Sequence, residues 1–365
     1  MSEPMLVDAH EDLAWNMLSF GRDYTFAAAE TRRHEQGSQT PELNGDTLLG
    51  WPDYQQGRVA IVFSTLFAAP NRHKLGDWDH QCYANEEEAH AIYSRQLDAY
   101  DQLAGDHPDM FRKIEKLADL QSVLQHWQRE DSGEHPVGLV VLMEGAEGVR
   151  QPGELEDWYQ RGVRIIGPAW AGTRFCGGTR EPGGLTSEGY ALLQKMAELG
   201  YTLDLSHMDE AAALQALDSY RGSIIASHAN ALALLKGSDS NRHLTDQVIQ
   251  GLLERGGTIG IVPQNSFLKP GWRETGGRAS ISLDYMVAQI DYICQMAGNA
   301  LHVGIGSDFD GGFGLPSVPV EIDTIRDLRK LIPILNQKGY TQVDIAAILG
   351  KNWLVYLQNT LPEAV

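Results

Sequence analysis

The chain has 365 residues, 42% of them hydrophobic, which is ample apolar material for a buried core. With 29 basic against 49 acidic residues its formal net charge is −20, so it lacks the basic surface that nucleic-acid binding needs. The first residues carry no positive region ahead of a long apolar run, and no stretch of 18 uninterrupted apolar residues occurs. Neither a secretory signal nor a membrane span is therefore expected, and a soluble cytoplasmic protein is. The three cysteines, Cys82, Cys176 and Cys294, have no disulfide or metal spacing and are expected to be free buried thiols.

Apolar, β-branched runs recur along the chain at Leu6–Ala9, Val59–Leu66, Val137–Met143, Val163–Ile166, Thr202–Leu205, Ser223–Ala226, Thr258–Val262 and His302–Ile305. Helix-period segments lie between them, among others Glu86–Leu103, Ser187–Leu199, Met208–Asp218, Thr245–Arg255 and Leu283–Met296. Strand followed by helix, repeated eight times, implies parallel pairing through right-handed crossovers. The expected fold is α/β, a single-domain (β/α)₈ TIM barrel, with an open doubly wound sheet as the alternative. Residues 21–57, with Arg22, Arg32 and Arg33, and residues 68–85, with His73 and His80, break the pattern. Both follow strand ends and are too long for simple turns, so they are expected to be loops over the barrel mouth that set specificity.

A barrel of this kind carries its chemistry where the strands end. The first run ends in Asp8-Ala-His10-Glu-Asp12, where strand alternation puts positions 8, 10 and 12 on one face and lets His10 and Asp12 reach one cation. Glu144 directly follows an apolar run, and a carboxylate entering the mouth there is costly to bury without a cation or donor. His207 and His228 end the fifth and sixth runs, one strand–helix unit apart. Three imidazoles, an aspartate and a glutamate suit zinc or a similar first-row ion, and a glutamate can bridge two ions. The eighth run ends in Gly-Ser-Asp308-Phe-Asp310-Gly-Gly. Asp308 suits a general base and later a general acid beside a cation-activated water, and Asp310 an N-cap of a short helix.

With these residues placed, the chain resembles the membrane (renal) dipeptidase family, peptidase family M19 of the amidohydrolase superfamily. The resemblance is carried by Asp-Ala-His10-Glu-Asp12-Leu, Glu144-Gly, Gly-Val-Arg164, Gly-Leu-Thr186, Asp-Leu-Ser-His207, Ile-Ala-Ser-His228-Ala-Asn, Asn-Arg242-His-Leu-Thr-Asp246, Gly-Ser-Asp308-Phe-Asp310-Gly and Gly-Lys-Asn352-Trp-Leu, in the family's order. It implies a binuclear zinc hydrolase that cleaves dipeptides, including those with a D residue at the C-terminal position, and that commonly forms homodimers. By that resemblance His10, Asp12 and Glu144 hold one divalent ion, and Glu144, His207 and His228 the other. Asp308 would pass a proton to the leaving amine, and Arg242 would hold the substrate's terminal carboxylate. Three departures stand out. Trp170 replaces a substrate-contacting histidine, Lys-Gly-Ser-Asp lengthens the loop before Arg242, and Val355 stands where the family has arginine. Trp170 opens a second reading, a related hydrolase of N-acyl amino acids or other small amides and esters. A barrel retained only as a binding module would have lost metal ligands, and none is lost.

Overall fold

The computed structural model describes residues 3–129 and 133–364. Eight parallel strands form the centre: β1 (Leu6–Glu11), β2 (Val59–Phe67), β3 (Val137–Glu144), β4 (Val163–Gly167), β5 (Thr202–Asp204), β6 (Ile224–Ile225), β7 (Ile259–Ile261) and β8 (Val303–Ile305). They pair in the order 6-5-4-3-2-1-8-7, and a parallel bridge between Ala226 and Ile259 closes the ring between β6 and β7. The barrel is the expected (β/α)₈ arrangement, and each expected run supplies one strand. A short extra strand, Phe111–Lys113, pairs with the start of β3, ahead of the point where β4 takes up that edge.

β1 and β3 are buried along their whole length. That is why β3 reads as a near-continuous apolar run rather than an alternating one, whereas β1 buries Asp8, His10 and Glu11 among its apolar residues. The helices begin where a side chain can accept from an orphan amide. Asn85 caps Glu86–Asp106, Thr186 caps Ser187–Leu199, Asp209 caps Glu210–Ser219, Thr245 caps Asp246–Glu254 and Ser282 caps Leu283–Ala297. Two helices therefore start a residue or two later than their apolar periodicity suggests, because Asp209 and Thr245 act as caps. No helix among the described residues is long and apolar enough to cross a membrane.

The segment 21–57 contains three short helices, Ala28–His34, Thr40–Asn44 and Trp51–Gly57. It is tied to the turn after β8 by a buried polar cluster rather than lying open. Arg22 donates to Glu35 at 2.8 Å and to the Gly45 carbonyl at 2.7 Å, and pairs with Asp310 at 3.0 Å. Asp310 also accepts from the Tyr24 hydroxyl at 2.9 Å, the Thr47 hydroxyl at 2.5 Å and the Leu48 amide at 2.9 Å. Asp310 is thus not the helix cap its position suggested. It is a fully buried acceptor that fastens this segment to the barrel, with Arg22 as its counter-charge.

Candidate metal centre

His10 and Asp12 leave β1, Glu144 ends β3, His207 and His228 follow β5 and β6, and Asp308 follows β8. All five expected metal ligands and Asp308 converge at one end of the barrel. Register aligns this layer, since Phe67 pairs with Glu144 and Glu144 with Gly167. His207 and Asp308 adopt positive φ (68° and 59°), a conformation that L residues seldom take and that concentrates at functional sites. Gly311 is required here. A Cβ on it would lie 2.2 Å from Asp308 Oδ1 and 2.8 Å from Asp12 Oδ2.

The glutamate divides its two oxygens. Glu144 Oε1 lies 3.0 Å from His207 Nε2 and 3.2 Å from His228 Nε2, whereas Oε2 faces His10 Nε2 at 3.6 Å. His207 Nε2 and His228 Nε2 are themselves 3.0 Å apart. A tetrahedral ion with bonds near 2.0–2.1 Å has ligand–ligand edges of roughly 3.3–3.4 Å, so this trio is within a few tenths of an ångström of the spacing a zinc-sized ion needs. The outer nitrogens of both rings are engaged, His207 Nδ1 with Thr179 Oγ1 at 3.0 Å and His228 Nδ1 with Ser227 Oγ at 2.8 Å. Rings that donate from Nδ1 turn Nε2 lone pairs toward one another, an arrangement that calls for a cation between them. On the other side, His10, Asp12 and Glu144 form a second group whose ligand atoms lie within 4.8 Å of one another. Both nitrogens of His10 are buried with no hydrogen-bond partner. The residues therefore fit two divalent ions that share Glu144.

Charge agrees with geometry. Burial lowers His207 to about 4, helped by Arg242, and lowers His228 well below the ordinary imidazole value, so both present neutral rings. Burial works against charge on His10 too, but the carboxylates of Glu144, Asp12 and Asp308 outweigh it and hold that ring at about 9. Asp12 rises to about 6 through burial. Asp308 is pushed well above the carboxylate range by burial, with the charges of Asp12 and Glu144 adding to it. Three carboxylates crowded together demand positive charge, and protons or metal cations can supply it.

The centre opens into a cavity of about 380 Å³. Trp15, Phe67, Trp170 and Phe313 give it apolar walls, and Arg180 and Arg242 give it positive charge. Arg242 is buried. Its Nη2 donates to the His228 carbonyl at 2.8 Å, while Nε and Nη1 have no partner in the protein. Trp170 is half-buried in the wall, its ring 6.1 Å from that of His207 and 5.2 Å from that of Phe67. Of the two long segments, 68–85 lines the cavity through Ala69, His73, Leu75 and Asp79, but no described residue of 21–57 does. Ser240, Gln264, Ser266, Phe267 and residues 311–313 complete that part of the wall.

Sequence reasoning missed the layer behind the ligands. Thr65 Oγ1 donates to Asp12 Oδ1, and Thr179, Asp204 and Ser227 stand behind His207 and His228. The Asp-Leu-Ser-His and Ser-His strings did contain Asp204 and Ser227.

The sequence profile of the membrane dipeptidase family (Peptidase family M19) matches residues 1–360. An uncharacterized Klebsiella pneumoniae protein from a pqqA 5′ region is 32% identical over 278 residues, covering 73% of this chain and 96% of that protein. Dipeptidase aclJ of Aspergillus oryzae is 24% identical over 96% of this chain and 76% of its own length. Among solved structures, a Rhodobacter sphaeroides metallopeptidase liganded with a phosphinate mimic of L-Ala-D-Ala superposes with a TM-score of 0.77. It is 23% identical, over 98% of this chain and 100% of that one.

Proposed function

Because the chain belongs to the membrane dipeptidase family, peptidase family M19, and is by that membership a metal-dependent dipeptidase, we propose that it works with two zinc ions. His10, Asp12 and Glu144 would hold one, and Glu144, His207 and His228 the other. The observation that carries this reading is the split of Glu144, one oxygen toward the His207–His228 pair and the other toward His10. When bound, such ions supply Lewis acidity and a water of lowered pKa.

The chain's own residues do the rest. Arg242, whose Nε and Nη1 have no partner in the protein, offers charge-assisted bonds to the C-terminal carboxylate of a dipeptide. Asp308 sits 3.8 Å from His10. As a carboxylate it can receive a proton from the attacking water and, with burial raising its pKa and so favouring the protonated form, hold that proton and give it to the leaving amine. The apolar walls exclude water and accept the side chain of the first residue. The L-Ala-D-Ala mimic bound to the Rhodobacter relative supports acceptance of a D residue at the C-terminal position. Trp170 and Phe67 favour a second, narrower reading, in which the first residue is bulky or N-acylated.

The test is elemental analysis of the purified chain together with a hydrolysis panel of L,L and L,D dipeptides and N-acyl amino acids. Two zinc equivalents per chain and cleavage of dipeptides are expected. A chain that binds no divalent ion and gains no activity from added zinc would refute the proposal.

A further inference from the structure

Behind His228 lies a connected path of hydrogen bonds that ends on a carboxylate. Asp204 Oδ1 accepts from the Ser206 amide at 3.0 Å and the Ser227 amide at 2.8 Å. Asp204 Oδ2 accepts from the Ser227 hydroxyl at 2.5 Å. With its only proton committed to the carboxylate, Ser227 Oγ can meet His228 Nδ1, 2.8 Å away, only as an acceptor. The proton of the neutral ring is therefore on Nδ1, and the Nε2 lone pair points at Glu144. The Ser206 hydroxyl accepts from the His228 amide at 3.0 Å and completes the setting of the ring. Asp204, Ser206 and Ser227 are all buried, and a Cβ on Gly260 would lie 1.9 Å from the Ser227 carbonyl, so the path is packed in place.

A second copy of the device stands across the barrel. Asp8 accepts from the Ser307 amide at 2.7 Å and from the Ser307 hydroxyl. In both copies a strand aspartate grips the backbone and hydroxyl of a serine on the neighbouring strand end. In both, the next residue faces the metal centre: His228 after Ser227, and Asp308 after Ser307. The two copies differ where it matters. Ser307 meets no imidazole, and its hydroxyl accepts instead from the Phe309 amide at 3.1 Å.

We propose that Asp204 and Ser227 are positioning residues that fix the tautomer of His228, so that its Nε2 is permanently available to a metal ion. The inference rests on the reading of His228 as a ligand. Asparagine at position 204 would reverse the path. Its carbonyl would still accept from the two amides, but its NH₂ would face Ser227 Oγ and donate to it. The serine proton would then turn to His228 Nδ1, placing the ring proton on Nε2, where it blocks coordination. Loss of an outer partner that orients a ligating imidazole typically costs 10–100-fold in metal affinity.

The experiment is a zinc competition titration of the full chain against a chromophoric chelator, with ¹⁵N-histidine NMR of the metal-stripped chain to read which nitrogen of His228 carries hydrogen. The parent should bind two equivalents and show Nδ1–H at His228. Asp204→Asn should bind one equivalent 10–100-fold more weakly and show Nε2–H, a signature that mere loss of packing would not produce. Ser227→Ala, which leaves Asp204 on its two amides, should weaken the same equivalent and carries the test alone if Asp204→Asn does not fold. A parent that binds no zinc would remove the ligand reading itself. A parent with two tight equivalents and variants that keep both affinities and the Nδ1 proton would overturn the positioning role alone.

Discussion

Replacing Arg242 by lysine should raise KM for a dipeptide and leave KM for the corresponding C-terminal amide nearly unchanged. Arg242 is 3% exposed, with one guanidinium nitrogen committed to the His228 carbonyl and two without protein partners. A substrate carboxylate would pair with Nη1 or Nε together with the remaining hydrogen of Nη2, since Nε and Nη1 themselves point apart. Lysine keeps the charge but offers a point donor that cannot hold the carbonyl and both carboxylate oxygens in one geometry. Truncating one partner of a buried charge pair costs about 2–5 kcal/mol. Because the charge survives, the lower end applies, about 2 kcal/mol or roughly thirtyfold in KM. Arg242→Leu, which removes the charge, should lie toward the upper end. The assay is steady-state kinetics on one dipeptide and its amide, with zinc content measured in parallel, since the bond to His228 links this residue to the metal centre. Equal losses on acid and amide, or a KM change that tracks metal loss, would refute carboxylate recognition and leave a structural role.

Asp308→Asn should retain two metal equivalents while kcat falls by about 10²–10⁴, the usual contribution of a positioned acid–base group; wild-type turnover would exclude the proton-transfer role. Trp170→His should shift preference from N-acyl or bulky apolar substrates toward simple dipeptides, read as a ratio of kcat/KM values, and an unchanged ratio would show that this wall does not select. Arg22→Met strands Asp310 and Glu35 as buried charges and should cost about 3–5 kcal/mol in urea unfolding; a change under about 1 kcal/mol would show that the hydroxyls and amide around Asp310 suffice. His243 is lowered to about 3 by burial, with Arg242 adding to the effect. Between that value and the ordinary 6.5 the unfolded chain binds the extra proton, so stability is full above pH 6.5 and declines toward pH 3, by at most about 1.4 kcal/mol per pH unit. His243→Gln should flatten that slope, measured by unfolding of the metal-loaded chain at several pH values, and parallel slopes would show that His243 titrates normally.

The barrel was legible because most of its strands stand out as buried apolar runs, and because five of the eight runs lead into polar or charged residues whose burial needs a reason. His10, Glu144, His207 and His228 share that signature, so local pattern found them. What local pattern does not carry is contact across the ring. Asp8 meets Ser307 and Thr65 meets Asp12 only after the strands close. Asp310 looked like a cap because its sequence neighbours are glycines, and its partners Arg22, Tyr24 and Thr47 lie near the other end of the chain. The cavity walls were hidden for a similar reason. The glycine-rich stretch around Cys176–Gly178 and Glu181–Leu185 folds as an antiparallel pair that no hydrophobic period announces, and it brings Thr179 and Arg180 to the mouth.

The same closure explains where the backbone is strained. Five described non-glycine residues have positive φ, and three of them, His207, Asp308 and Asp310, follow barrel strands at the metal-centre end, while a fourth, Arg180, lines the cavity. A strand leaving the barrel upward carries its next side chains away from the axis. One left-handed residue reverses the chain at once and turns that side chain back over the mouth. Each such residue costs on the order of 1–2 kcal/mol, so something must hold it. At Asp310 the holding groups are Arg22, Tyr24, Thr47 and the Leu48 amide. At Asp308 they are the Ser307 contacts to Asp8 and the Asp308 amide, which donates to the His10 carbonyl at 3.1 Å. At His207 they are Thr179 and the bond from the Ser206 amide to Asp204. The polar residues beneath the candidate metal centre are thus what keeps its proposed ligands turned inward, which is why so many carboxylates and hydroxyls are buried in a barrel interior otherwise built from valine, leucine and isoleucine.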